Sequence, residues 1–217
     1  MTNNVIADIS VSLDGYAAGP DATLEEPLGR GGEGLHEWAF SALAWRESHG
    51  LSGGEQSADS DVIEEIRSRT GATIMGRRMF SGGHGPGAWE EDPRANGWWG
   101  DEPPFGHPVF VLTHHAREPL TLGATTFTFV TEGVESALEQ ARAAAGEKDV
   151  HIAGGATAIQ QYLAAGLADE LQIHVVPVFL GGGARLFDGI APGAVQLEPA
   201  RVIESPAVTH LRYRVVK

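Results

Sequence analysis

Residues 151–159, His-Ile-Ala-Gly-Gly-Ala-Thr-Ala-Ile, set two adjacent glycines between an apolar strand and an amphipathic helix. Such a turn can seat a phosphate. Gly154 and Gly155 put no Cβ between backbone and ligand, and the amides of Ala156 and Thr157 open a helix whose dipole favours negative charge. Adjacent glycines also suit tight packing of a helix on a strand, so the pattern gains weight only in company. Gly76-Arg77-Arg78 and Thr113-His114-His115 provide it, each following an apolar run. Three strand-ending loops of polar and glycine character point at one ligand.

The elements that must hold these loops follow from periodicity. Val5–Leu13 alternates apolar with small or polar residues and ends at the turn Asp14-Gly15, a strand expected to be central in the sheet. Leu35, Trp38, Ala39, Ala42 and Trp45 recur at helical spacing. Residues 50–60, rich in Gly, Ser and acid, read as a surface loop, and Asp61-Val62-Ile63-Glu64 as the capping box of a helix stopped by Gly71. Ala72–Met75, Pro108–Leu112, Thr126–Val130 and Val150–Ala153 read as buried strands. Val134, Ala137, Leu138, Ala141 and Ala144 mark a helix ending near Gly146, and Ala156, Ile159 and Leu163 mark another. Strand, helix, strand implies parallel pairing. Glu170–Val178, Val195–Glu204 and Val208–Val216 are joined without helices and should pair largely antiparallel, giving a mixed sheet.

Composition bounds the function. The 217 residues, 42% hydrophobic, suit one domain spanning 1–217 with a core that needs no staple. With no Cys, disulfides, thiolate nucleophiles and thiolate zinc sites are excluded, in agreement with a cytoplasmic location. The formal charge of -14 disfavours nucleic acid and anionic membrane, so an anionic ligand must meet a local positive cluster. No signal peptide or transmembrane helix is read in the opening segment. The nine histidines show no His-x-x-x-His or His-Glu-x-x-His spacing, and no metal is expected.

Six motifs in order resemble the dihydrofolate reductase-like superfamily, in the branch that includes the reductase domain of bacterial riboflavin biosynthesis. They are Ser12-Leu13-Asp14-Gly15, Ile74-Met75-Gly76-Arg77-Arg78, Val111-Leu112-Thr113-His114, Ala153-Gly154-Gly155-Ala156, Asp169-Glu170-Leu171, and Pro177–Gly183 with Leu186-Phe187. The resemblance covers nearly the whole chain. It implies a three-layer α/β fold with a mixed, mainly parallel sheet and antiparallel C-terminal strands, bound NADPH, and hydride transfer to a small heterocycle of pyrimidine or pterin type. It further implies that Gly154, Gly155, Ala156 and Thr157 hold the pyrophosphate. Gly76, Arg77 and Arg78 would lie along the adenosine half, and Thr113 and His114 would flank the adenine ribose and its phosphate. The arginines fit a compact dianion by their chemistry; the plainer alternative is that they open a short helix and project into water.

The chain also departs from that pattern. The branch commonly places an acid before the Gly-Gly pair, where this chain has Ala153, and the cysteine-dependent deaminase partner of the fused riboflavin enzyme has no counterpart here. Hydride transfer needs an apolar wall and one acid. Asp14, at the end of the first strand, is the candidate catalytic acid, although Asp-Gly is also an ordinary turn pair. Glu37 and Trp38 are the candidate substrate contacts, Trp38 by stacking or else as core. Trp89 to Phe105 must pack on something, with the cleft or a second subunit favoured over the domain's own core. Gly181–Gly183 with Arg185 reads as a wide turn rather than a second phosphate cradle. The expectation is an NADPH-dependent reductase acting as a homodimer on a small molecule. The rival reading is a non-catalytic nucleotide-binding or interaction protein that retains the cofactor cleft.

Overall fold

The computed structural model describes residues 3–23, 25–81 and 95–217. Trp89 and its immediate neighbours lie outside them. The strands are β1 (Val5–Ser12), β2 (Tyr16–Ala18), β3 (Thr70–Gly76), β4 (Val109–Leu112), β5 (Leu120–Leu122), β6 (Thr125–Val130), β7 (Asp149–Gly154), β8 (Glu170–Val176), β9 (Ala184–Arg185), β10 (Gln196–Glu204) and β11 (Thr209–Val216). The helices are α1 (Glu37–Phe40), α2 (Leu43–Ser48), α3 (Ala58–Arg69), α4 (Arg77–Ser81), α5 (Val134–Ala145) and α6 (Ala156–Ala164).

Among the described residues nine strands form one sheet in the order β10-β11-β8-β1-β7-β3-β4-β6-β5, and β2 pairs with β9 apart from it. The strands from β8 through β6 in that order run parallel, while β11 pairs antiparallel with β8, β10 with β11 and β5 with β6. β1 is central as expected. The antiparallel expectation for the C-terminal strands holds for β10 and β11 and is corrected for β8, which lies parallel to β1 on one side and antiparallel to β11 on the other.

Strand alternation gives the sheet two unlike faces. Ala7, Val11, Ile74, Ile152, Leu171 and Ile173 point to one face, where α5 and α6 cover them in the main apolar core. Helix α5 fits that face because Ala137, Leu138, Ala141 and Ala145 share a stripe, and Gly146, at φ 63°, stops it. The buried Tyr162 of α6 donates its hydroxyl to Val134 O at 2.8 Å and ties the two helices together. The opposite face carries Asp8 and Ser10 of β1, level with Gln172 and His174 of β8, and beyond them His210 of β11.

That second face is covered by the N-terminal helices, in a form the periodicity did not give. The single helix expected over 35–45 is a 3-10 turn (Gly32–Leu35) followed by α1 and α2. The break lies at Ala42, whose extended backbone (ψ 135°) frees Leu43 N to donate to Glu55 O and Ser41 O to accept from Glu55 N. Leu35, Trp38, Ala39 and Ala42 are all buried nonetheless. Helix α3 begins earlier than expected, capped by Ser57 Oγ, which accepts from Ser60 N at 3.2 Å; Asp61 sits inside the first turn. Consequently Asp59 and Ser60, expected in a surface loop, are buried.

Candidate active site

Parallel strands β7, β3 and β4 end at one edge of the sheet, so the three loops singled out above are neighbours. Gly76, Arg77, Arg78, Thr113, His114, Gly155, Ala156 and Thr157 line one open cleft of about 1900 Å³. Gly155 caps the nine-residue helix α6, and a Cβ built on it would meet nothing, which leaves its amide surface open to the cleft. Gly154 is buried at φ +119°, a conformation that favours glycine, and its peptide to Gly155 is cis. Gly76 closes the seat: a Cβ there would stand 3.8 Å from Gly155 N. Arg77 is half-buried, Arg78 and His114 are exposed, and buried Thr113 accepts from His115 N at 3.1 Å.

The floor of the same cleft is a set of titratable groups that the sequence reading missed. Asp8 Oδ1 lies 2.6 Å from His174 Nε2, and Asp8 Oδ2 lies 3.4 Å from His151 Nε2. His174 Nδ1 meets His210 Nδ1 at 2.6 Å, and His210 Nε2 meets Asp59 Oδ1 at 2.9 Å. Trp38 roofs the pair, its ring 4.8 Å from that of His174 and 5.1 Å from that of His210, and donates Nε1–H to Ser10 Oγ. Burial opposes ionisation of Asp8, but His174 and His151 outweigh it and hold the carboxyl well below the usual range. Burial, with the charge of His174, pushes His36 down to about 4. His107, whose Nε2 is 2.7 Å from Thr73 Oγ1, is pushed to about 4 by burial, helped by His151 and Lys148.

No spacing rule finds this cluster, because Asp8, His151, His174 and His210 sit on four different strands and meet only through sheet order. The available signal was a polar residue at a core-facing position in each of four otherwise apolar strands. The register also answers the departure at Ala153. The β1–β7 ladder ends at the pair Ala7 and Ile152, one residue short of Asp8 and Ala153, and both of these line the cleft. A carboxylate is supplied from β1 instead of β7.

The expected catalytic Asp14 is corrected. Its carboxylate accepts from Ser12 Oγ at 2.6 Å, Leu180 N at 3.2 Å and Gly181 N at 2.8 Å, and these bonds, led by that of Ser12, outweigh burial and hold it at about 2. It fastens the end of β1 to the loop after β8 and is not among the described lining of the cleft. Glu37 is exposed at the cleft and Trp38 is buried (7% exposed) while still lining it. Trp99 and Phe105 pack on the domain's own second core, of Met75, Phe80, Val111 and Phe127, and also line the cleft; the preference against the core is corrected for these residues. Arg185 stacks its guanidinium over Tyr16 at 4.6 Å from the ring centroid, as part of the β2–β9 turn. Among the described residues no group of three or more His, Asp or Glu side chains is placed to hold a metal ion, and no helix is long and apolar enough to cross a membrane.

Residues 3–211 match the model of the RibD C-terminal domain. The chain belongs to this family. No curated protein matches this RibD C-terminal domain chain in sequence. Among solved structures, a provisionally assigned riboflavin biosynthesis protein from Shewanella sp. PV-4 is similar over 100% of both chains, with TM-score 0.64 and 21% identity. RibD from Acinetobacter baumannii is similar over 100% of this chain and 59% of its own, with TM-score 0.58 and 17% identity. Dihydrofolate reductase from Enterococcus faecalis, complexed with NADP(H), is similar over 99% of this chain and 97% of its own, with TM-score 0.52 and 15% identity. The fold is dihydrofolate reductase-like.

The described residues fit a nicotinamide dinucleotide. The open amide surface at Gly155, which a Cβ would begin to fill, faces a cleft that the cationic Arg77 and Arg78 also line, at the neighbouring strand end.

Proposed function

We propose that the protein is an NADPH-dependent reductase that transfers hydride to a small heterocyclic molecule of pyrimidine- or pterin-like type. The observation that carries this reading is the convergence of Gly155–Thr157, Gly76–Arg78 and Thr113-His114 on one cleft that Asp8 also lines. Bound NADPH supplies the hydride. The amides at Gly155, Ala156 and Thr157 hold the pyrophosphate, and Arg77 and Arg78, with Thr113 and His114, hold the adenosine ribose and its phosphate. Asp8, His151 and Trp38 orient the substrate and Trp98, Trp99 and Phe105 help to exclude water. The retained acid at Asp8 favours this reading over a non-catalytic nucleotide-binding protein.

The proposed setting is the cytoplasm, which the absence of Cys from the sequence suits. The proposed assembly is a homodimer, for which the exposed Leu197, Val202 and Val216 of the β10–β11 edge offer apolar surface.

Calorimetric titration with NADPH and NADH tests the cofactor half. Micromolar binding of NADPH with clear preference over NADH is expected, and replacing Arg77 and Arg78 together by Ala should erase the preference by weakening NADPH alone. Equal loss for both cofactors would remove the proposed role of the arginines, and no binding of either would remove the reductase reading.

A further inference from the structure

The Asp8–His174–His210–Asp59 chain crosses the sheet from the cleft floor to the N-terminal turn of α3, and its ends are both carboxylates. Its proton count follows from geometry. Each imidazole turns its Nε2 toward a carboxylate, Asp8 for His174 and Asp59 for His210, which requires a hydrogen on each Nε2. The two Nδ1 atoms then face each other at 2.6 Å. Two bare lone pairs would repel at that distance, and two N–H groups would clash, so one hydrogen lies between them. Three hydrogens on four nitrogens make one ring an imidazolium and the other neutral. The positive charge can pass between the rings by a short movement of that shared hydrogen.

We propose that the His174–His210 pair stores the proton that accompanies each hydride, and that Asp8 hands it to the substrate. The inference rests on the reductase reading for its use. Reduction of a C=N or comparable bond places the hydride, with its two electrons, on carbon and requires one proton on the heteroatom, while the nicotinamide becomes oxidised. The proton leaves His174 Nε2 for Asp8 and passes from Asp8 to the heteroatom. His174 then keeps only its Nδ1–H, still donated to His210 Nδ1, and both rings are neutral. One proton taken from solvent restores the pair. Asp8 is the catalytic residue in this scheme because it lines the cleft, whereas His210 and Asp59 act through His174.

Two further observations support the scheme. His151 Nε2 completes no hydrogen bond of regular geometry within the protein despite its 3.4 Å contact with Asp8 Oδ2, and His151 and Asp8 both line the cleft. Burial also pushes His210 down despite Asp59, which favours His210 as the neutral partner. Among the described residues, few other charged or titratable groups face the pair. They are His36 before α1, His151 of β7, and Arg212 of β11, which is paired at 2.6 Å with Glu65 of α3.

The test is long-range proton–nitrogen NMR of the histidine rings in the full-length protein at pH 7, which needs no substrate. The expected result is one imidazolium charge shared by His174 and His210. Asp8→Asn should move the charge toward His210 and Asp59→Asn toward His174, shifting the ring nitrogens in opposite directions. A pair of neutral rings would tolerate either amide without this exchange of charge. Two neutral rings or two charged rings in the unaltered protein, or shifts of the same sense in both variants, would overturn the proposal. The measurement on the unaltered protein stands even if Asp8→Asn does not fold. Titrating the same sample with NADPH separates the two readings: a shared proton without NADPH binding removes the reductase reading and leaves the proton count intact.

Discussion

Trp38 donates its indole Nε1–H to Ser10 Oγ at 3.1 Å, and both residues are buried. The bond links the N-terminal helices to the central strand directly beside the histidine pair. A donor lost here leaves a buried hydroxyl with one fewer partner, which costs about 1–2 kcal/mol.

Trp38→Phe should therefore lower the melting temperature by several degrees, since about 1 kcal/mol shifts a domain of this size by roughly 2–4 °C. Adding Ser10→Ala should recover part of that loss, because the pair is then apolar on both sides. A melting temperature unchanged in Trp38→Phe would show that the bond carries no stability.

Gly155→Ala separates ligand seating from folding. The added Cβ meets no protein atom, and φ at this residue is an ordinary -69°, so the cost is that of a poorer helix cap, about 1 kcal/mol. NADPH affinity should fall tenfold or more, because the methyl group stands where the pyrophosphate approaches the amides. Undiminished affinity by calorimetry would remove the phosphate seat from this turn.

Stability should fall between pH 6.5 and 4. His36 and His107 remain neutral in the fold down to about 4, whereas the unfolded chain takes up protons below its ordinary value of 6.5. The folded values are depressed, so the contribution is complete above pH 6.5 and is lost as pH drops toward 4. The slope is at most about 1.4 kcal/mol per pH unit for each ring. Asp8 acts in a lower window, its contribution being lost only as pH falls below the ordinary 3.8. Urea unfolding at pH 7, 6 and 5 measures the slope, and His107→Gln should reduce it; a flat profile would mean that these rings are charged in the fold.

Much of the architecture was legible because it is written locally. The alternation of Val5–Leu13 and the stripe of Val134–Ala144 identify β1 and α5, and strand-to-turn glycines identify the ends of β3 and β7. The break at Ala42 was not legible, since it depends on a backbone pairing with Glu55 that leaves the apolar spacing untouched. The cleft floor was illegible for a related reason. Asp8 and Ser10 read as the polar half of an alternating strand, as they would if that face met water. Their partners His174 and His210 are brought opposite them only by β8 and β11 docking on β1. Asp14 attracted attention through its motif, yet its carboxylate is consumed by the amides of Leu180 and Gly181.

The two-faced sheet also guards its own assembly. In β1 the charged Asp8 lies between Ala7, buried in the main core, and Ile9, packed against it. A slip of one residue against β7 or β8 would turn Asp8 into that apolar layer and lift Ala7 and Val11 out of it. An ionised carboxylate stranded among alkyl groups is far costlier than a misplaced methyl group. The same side chain that serves the cleft therefore acts as a proofreading mark during strand docking, rejecting frames that an all-apolar strand would have accepted.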